Sequence, residues 1–307
     1  MSLAGAEAME IAAEVPPGDE GVPQWREAWR RVRRNPLAIT GMVLIALFVF
    51  VAVFAPLLAP FEPGDTSPGR GKIRPGIIPG PSSEHPFGLD QSGRDELSRV
   101  IFGARYSLLI GLVSVTLGGL VGGIIGTVAG AFGGWVDNLL MRLMDIMLSV
   151  PGLLFAIAVA AMLGGSIKGI MVAIAVTSVP TFARLLRGSM LSQRESDYAL
   201  ASRSLGVKRW RIITKHVLPN SLAPVIVYGT LALATAIVEA AGLAFLGLGD
   251  PNPDTAEWGK MVAGTQQYLR SAPHLVFFPG LAIVLSVLGF NLLGDALREA
   301  LDPKLRR

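Results

Sequence analysis

The chain has 307 residues, of which 51% are hydrophobic and 16% charged, and its mean hydropathy is +0.52. These values exclude an ordinary soluble domain, and the absence of cysteine excludes disulfides and thiolate metal sites. The 27 basic residues outnumber the 23 acidic ones, but they cluster between long uncharged windows. The distribution of the basic residues therefore indicates how the chain is oriented in a membrane, and it does not indicate nucleic-acid binding.

The N-terminal region precedes any apolar run. Residues 1–22 are acidic, contain Ala, Gly and Pro, and lack the apolar core of a signal peptide, so we predict a disordered tail. Residues 23–36 predict an interfacial amphipathic helix, because Trp25, Trp29 and Val32 recur at helical spacing among five arginines. The alternative is a positive flank of the first span with no role of its own.

Long apolar windows follow along the rest of the chain. A helix needs about 20 apolar residues to cross a bilayer. The fourth window is short alone and reaches a full span if the arginines after it extend to the interface. The fifth window counts as one helix interrupted by Glu239. The sequence thus predicts an all-α polytopic membrane protein with six transmembrane helices, at residues 37–61, 106–136, 146–167, 169–183, 217–249 and 271–294.

The basic residues also predict sidedness. If the N-terminus lies in the cytosol, the inner segments hold 18 Lys and Arg residues and the outer segments hold 9. The positive-inside rule then places both termini in the cytosol. Residues 62–105 become an extracytoplasmic segment with a short helix, capped by Asp90 or Ser92. Residues 106–297 form a five-helix core, and residues 298–307 form a cytosolic tail.

Small residues recur at every fourth position of the second predicted span. In lipid such a stripe lets two helix backbones approach closely, so we predict a tightly packed helix pair there. The stripe favours no particular function, since it serves a static bundle as well as a moving one. Its glycines include Gly118, Gly122, Gly126 and Gly130.

No catalytic or phosphate-binding pattern occurs in the sequence. It has three histidines and no HExxH, GxSxG, EF-hand or GxxxxGK[ST] motif, which predicts no enzyme, metal or bound cofactor. Glu239 is the one carboxylate deep in a predicted span. It is either a solute contact or proton relay, or a hydrogen-bonded packing residue. For Asp145, at the inner end of the third span, we predict a local ion pair with Arg142.

A basic insert interrupts the apolar pattern at residues 184–215. Within it, Asp197–Leu205 and Lys208–His216 predict two short helices parallel to the membrane, separated by a left-handed turn at Gly206. Pro219 then opens the next span. Apolar side chains surrounded by basic ones suit a protein docking surface, and a loop on anionic headgroups is the alternative. The apolar set is Leu200, Leu205, Val207 and Trp210, and the basic set is Arg203, Lys208, Arg209, Arg211 and Lys215.

Residues 198–220 resemble the EAA loop of ABC-importer permeases. Gly206 matches its glycine, Leu218 and Pro219 match its Leu-Pro, and His216 replaces an isoleucine, as is common in the peptide branch. Leu200, Ala201 and Ser202 stand where Glu-Ala-Ala is usual, so the acidic contact is missing. Four further blocks resemble the C-type permease of dipeptide, oligopeptide and nickel ABC importers: residues 85–108, 133–151, 239–259 and 294–303.

The resemblance implies a type I ABC importer permease in the cytoplasmic (inner) membrane of a prokaryote. Its partners would be a B-type permease, two cytosolic ABC ATPase subunits that use ATP and Mg, and an extracytoplasmic solute-binding protein. The implied cargo is short peptides, with nickel or another small solute as the alternative. An ion-coupled secondary carrier using Glu239 is the second hypothesis.

The resemblance also implies roles for particular residues. The coupling loop spans residues 188–220, and its ATPase contacts fall within residues 197–220. These contacts are Leu200, Ala201, Ser202, Arg203, Leu205, Gly206, Val207, Arg211, His216, Leu218 and Pro219. The residues expected to face the binding protein are Asp90, Arg94, Asp95 and Trp258.

Overall fold

The computed structural model describes residues 29–73 and 77–301, in which the regular structure is helical and no β-strand forms. The predicted tail 1–22, the first part of the predicted interfacial helix and residues 302–307 lie outside this range. Residues 29–32 are helical.

The long helices are α1 (Pro36–Val53), α3 (Glu96–Phe132), α6 (Ile167–Arg194), α9 (Leu218–Phe245) and α11 (His274–Leu301). The shorter ones are α2 (Ala55–Leu58), α4 (Gly134–Ser149), α5 (Gly152–Met162), α7 (Asp197–Ser204), α8 (Arg209–Ile212) and α10 (Trp258–Ala263).

The all-helical, membrane-spanning architecture is confirmed, but one of the six spans is not a straight helix. Among the described residues, five helices are long and apolar enough to cross a membrane. The predicted third span, residues 146–167, is wrong as a single helix. It consists of the end of α4 and the whole of α5, and these two helices meet at an angle of 91°. Pro151 stands at the break, where its ring and missing N–H end α4.

The predicted short outer helix does not exist as a separate element. Residues 96–105 are the first turns of α3, a helix of 37 residues and about 55 Å that exceeds the bilayer core. The predicted caps are also wrong. Asp95 caps α3 by accepting from the Ser98 backbone N–H at 2.8 Å, whereas Asp90 accepts from the backbone N–H groups of Ser92 and Arg94 in the preceding turn.

The second short helix of the insert is likewise continuous with a span. Residues 209–245 form one 37-residue helix made of α8, a π-helical turn at Ile213–Val217, and α9. Pro219 lies at the start of α9 and leaves the helix unbroken, because the wider π turn before it accommodates the missing N–H. Only α7 is a free-standing helix of the insert, and Glu239 does not interrupt α9.

The small-residue stripe of α3 lies against α6. A Cβ atom added to Gly122 would come 2.5 Å from the Val179 carbonyl oxygen, and one added to Gly126 would come 2.5 Å from the Ala183 carbonyl oxygen. Gly118 meets Ser178 and Ala175 in the same way, and Gly130 meets Met190. The two backbones are therefore in direct contact over about two turns, from Gly118 to Gly126, as small residues permit in lipid.

The described residues define two ends of the helix bundle. At the insert end, the start of α1 meets the end of α11 through Asn35 and Glu299, and the insert meets the end of α3 through Arg209. At the far end, Arg94 before α3 meets Pro253 after α9, and His274 meets Leu89. The insert thus shares one side with the start of α1 and the end of α11.

Candidate functional site

The insert is fixed to the bundle by its apolar underside. Ala199, Ile212, Ile213 and Val217 are buried in one cluster with Leu186 and Met190 of α6 and with Ala131 at the end of α3. Gly206 has φ +74°, so it forms the left-handed turn that the sequence predicts between α7 and α8. This cluster gives the insert a defined position relative to the spans.

The opposite side of the insert is exposed and apolar at its centre. Leu200, Leu205 and Trp210 are 47%, 83% and 67% exposed, although each is large enough to be a core residue. Exposed basic residues alternate with them along the sequence, and this mixture of apolar residues and arginines is typical of a protein interface. We call this surface the docking face, and it comprises Leu200, Arg203, Leu205, Lys208, Trp210 and Arg211.

The other residues assigned to coupling occupy more varied positions. Ser202 is half-buried, and its hydroxyl donates to the Tyr198 carbonyl one turn earlier in α7, at 2.7 Å. The His216 ring is exposed, with its centre 6.4 Å from that of Tyr198. Their contacts with an ATPase stay a prediction. The exposed members are Ala201, Gly206, His216 and Pro219, and the half-buried ones are Ser202, Val207 and Leu218.

Two arginines of the insert region satisfy the carbonyl end of α3. Arg194 Nη1 donates to the Gly130 carbonyl at 2.7 Å, and Arg209 Nη2 donates to the carbonyls of Ala131 and Phe132. Cations are favourable at a helix C-terminus, where carbonyls lack partners and the dipole is negative. Arg209 therefore anchors the insert through these carbonyls. Because the residue is exposed, its place in the basic set around the apolar residues stays a prediction.

Two carboxylates of α4 pair with arginines of α6. Asp137 makes a two-bond ion pair with Arg187, at 2.7 and 2.6 Å, and its side chain is buried. Asp145 pairs with Arg184 at 2.7 Å, where both side chains are more than half exposed. The predicted local partner Arg142 is wrong, because the Asp145 carboxylate pairs with Arg184 of the neighbouring helix. The sequence alone contains no signal for the role of Asp137.

We expect Asp137→Asn to lower the free energy of unfolding by about 1–3 kcal/mol, because it leaves the Arg187 guanidinium without its charged partner. The matched control on the same helix is Asp145→Asn, whose exposed pair contributes about 0–1 kcal/mol. Thermal unfolding of the purified protein in detergent checks the difference. Equal losses in the two variants would contradict the assignment.

The outer residues expected to face a binding protein are buried instead. Asp90, Arg94 and Asp95 are each less than 7% exposed, and Trp258 is fully buried. Arg94 Nε donates to Asp90 at 2.6 Å, and its Nη1 donates to the Pro253 carbonyl at 2.7 Å. Trp258 donates to the Val100 carbonyl and packs against Phe48. The prediction of an exposed contact surface is wrong at these residues, because each of them is buried within the chain.

The loop after α9 is held by a buried carboxylate. Glu257 accepts from the backbone N–H groups of Gly259 and Lys260, at 2.9 and 2.8 Å, and so caps α10. Burial raises the pKa of Glu257, against the lowering effect of these bonds and of the Ser107 hydroxyl. Burial likewise lowers the pKa of Lys260. The far end of α9 is thus tied to the start of α3 through a polar network.

Glu239 is half-buried on α9, about two turns from its far end. Asp145 lies at the other side of the bundle, on α4. The structure therefore does not bring the two suggested polar pathway residues together. A role for either in solute passage stays a prediction.

Comparisons with known proteins identify a family over most of the chain. Residues 122–307 match the model of the binding-protein-dependent transport system inner membrane component, and residues 23–74 match the N-terminal TM domain of oligopeptide transport permease C. The dipeptide transport system permease protein DppC of Alkalihalophilus pseudofirmus is 47% identical over 293 residues, covering 95% of this chain and 94% of the relative. The glutathione transport system permease protein GsiD of Escherichia coli is 43% identical over 282 residues, covering 92% and 91%.

Solved structures share the fold at low identity. The inward-facing MetNI methionine ABC transporter aligns with a TM-score of 0.54 and 19% identity, covering 66% of this chain and 96% of that one. An amino acid ABC transporter described with histidines aligns at 0.52 and 16%, covering 66% and 94%. The shared part is the helical fold of ABC importer membrane subunits.

Proposed function

Because the chain belongs to the family of binding-protein-dependent transport system inner membrane components, and is thus a non-catalytic, multi-pass ABC importer permease subunit, we propose that it imports short peptides. It does so across the inner membrane of a prokaryote. The names of the relatives support peptides as cargo: one is a dipeptide permease and another a glutathione permease. Permeases of this family work with a second permease, ATPases and a binding protein. We propose a B-type permease and two ATPase subunits as the specific partners.

The observation that carries the coupling role is the docking face. The apolar residues of this face are exposed, whereas the other side of the insert is packed against the helix bundle. A partner that binds the docking face and changes conformation would therefore displace the transmembrane helices. The continuous helix from Arg209 to Phe245 begins at this face and ends at the far-end loop. A displacement caused by ATP binding in a partner would thereby be transmitted along this helix across the membrane.

Uptake by reconstituted proteoliposomes tests this function. We expect uptake of a radiolabelled dipeptide only when the second permease, the ATPases, the binding protein and ATP are all present, and no uptake by this chain alone. Excess unlabelled dipeptide should compete, and nickel chloride should not. Gradient-driven uptake by the chain alone, lost in Glu239→Gln, would instead establish the secondary carrier. ATP-dependent nickel uptake would establish the alternative cargo.

A further inference from the structure

A cluster of arginines lies directly before α1. Arg30, Arg31, Arg33 and Arg34 fall within five consecutive positions at the insert end, and all but the half-buried Arg31 are exposed. The Arg33 guanidinium lies over the Trp29 indole, 5.4 Å from its centre, and Trp29 is half exposed. Tryptophan beside arginine at the start of a span is typical of the lipid headgroup layer.

A cavity of about 650 Å³ separates this cluster from the last turns of α11. Arg31, Arg34 and Asn35 line one wall, and Glu299 lines the other. Asn35 Nδ2 donates to Glu299 Oε2 at 3.3 Å, which ties the two walls together. Within the described residues the lining holds two arginines against one carboxylate, so its net charge is positive.

The helix that leads away from the cavity is exposed along its length. Only 17% of the apolar window of α1 is buried, the smallest fraction among the five long helices. Leu37, Ile39 and Val43 are 59%, 44% and 61% exposed and follow directly after the arginines. A positively charged cavity thus continues into an apolar surface that suits hydrocarbon chains.

We propose that this cavity binds the phosphate group of an anionic glycerophospholipid, with the acyl chains of the lipid along α1. Guanidinium groups match phosphate oxygens in geometry and charge, and basic pockets at the end of a span bind anionic headgroups. A choline headgroup would place its own cation among the arginines, so an anionic lipid is preferred over a zwitterionic one. The proposal depends neither on the transported solute nor on which face of the membrane holds the insert end.

Native mass spectrometry of the chain with its partner subunits in neutral detergent tests this site. We expect phosphatidylglycerol to bind about tenfold more tightly than phosphatidylcholine with the same acyl chains. Inorganic phosphate at equal concentration should not displace phosphatidylglycerol, because the acyl chains contribute to binding. Equal binding of the two lipids would refute the site. Displacement by inorganic phosphate would show a simple anion site instead.

A matched pair of variants locates the site. Arg34→Gln removes an arginine that lines the cavity and should weaken phosphatidylglycerol binding by about fivefold. The half-buried Arg31 is left intact to preserve packing. Arg270→Gln removes the same charge from an exposed position at the far end and should leave binding unchanged. Wild-type affinity in Arg34→Gln would overturn the proposal. If that variant fails to fold, the lipid and phosphate comparison on the wild-type protein decides alone.

Discussion

Replacing Leu205 and Trp210 together by aspartate is expected to abolish co-purification of the ATPase subunits and to reduce substrate-stimulated ATP hydrolysis by about tenfold or more. A buried tryptophan at an interface typically contributes about 2 kcal/mol or more, and an aspartate in its place would also be desolvated without a partner. Both side chains lie on the docking face and are mostly exposed, so the substitutions remove little packing within the chain itself.

The control for this prediction is Leu269→Asp. Leu269 is 55% exposed at the far end, so it matches the docking-face leucine in chemistry and differs in location. We expect it to retain the ATPase subunits through detergent purification. Membrane insertion of all variants, measured by immunoblot of the membrane fraction, should equal that of the wild type. Retention of the ATPases by the docking-face variant would refute the coupling role of this surface.

Gly122→Ala is expected to destabilise the protein by about 1–3 kcal/mol or more, although only one methyl group is added. The new Cβ would lie 2.5 Å from the Val179 carbonyl oxygen and 2.7 Å from the Phe182 Cβ. One of these atoms belongs to the backbone of α6 and cannot rotate away. The two helices must therefore separate along the stripe, which weakens the neighbouring contacts at Gly118 and Gly126.

The adjacent glycine on the same helix is the control. A Cβ on Gly123 would meet only the end of the Leu186 side chain, at 3.9 Å, which is an ordinary contact. Gly123→Ala should be neutral or slightly stabilising, since alanine favours the helix over glycine by about 1 kcal/mol. Thermal unfolding in detergent measures both variants. Similar stability of the two alanine variants would mean that the stripe does not set the distance between α3 and α6.

Some features of this fold follow from the sequence because they depend on local physics alone. The apolar windows indicate where helices cross the membrane, and the glycine spacing indicates close packing. Gly206 follows a helix-forming stretch and forms the expected turn, since the left-handed conformation costs glycine little. In each of these cases the residues that carry the signal are near one another in the chain.

Other features depend on partners that are distant in the chain. The pairing of Asp145 with Arg184, and not with Arg142, depends on how α4 lies against α6. The burial of Asp90 and Arg94 depends on Pro253, which supplies a carbonyl from more than 150 residues away. Charged residues in an outer segment suggest a surface when read alone. Here the Arg94 guanidinium and the Asp90 carboxylate form a buried ion pair, and a hydropathy profile cannot reveal such a pair.

The unbroken helix from Arg209 to Phe245 also limits where residues can be inserted into this chain or deleted from it. An α-helix turns by about 100° per residue, so inserting one residue within α9 would rotate Trp210 by that angle relative to the loop that contacts Arg94. Seven inserted residues complete nearly two full turns and would restore the direction while adding about 10 Å. A single insertion or deletion within the helix would therefore turn the docking face away from its direction relative to the far-end loop.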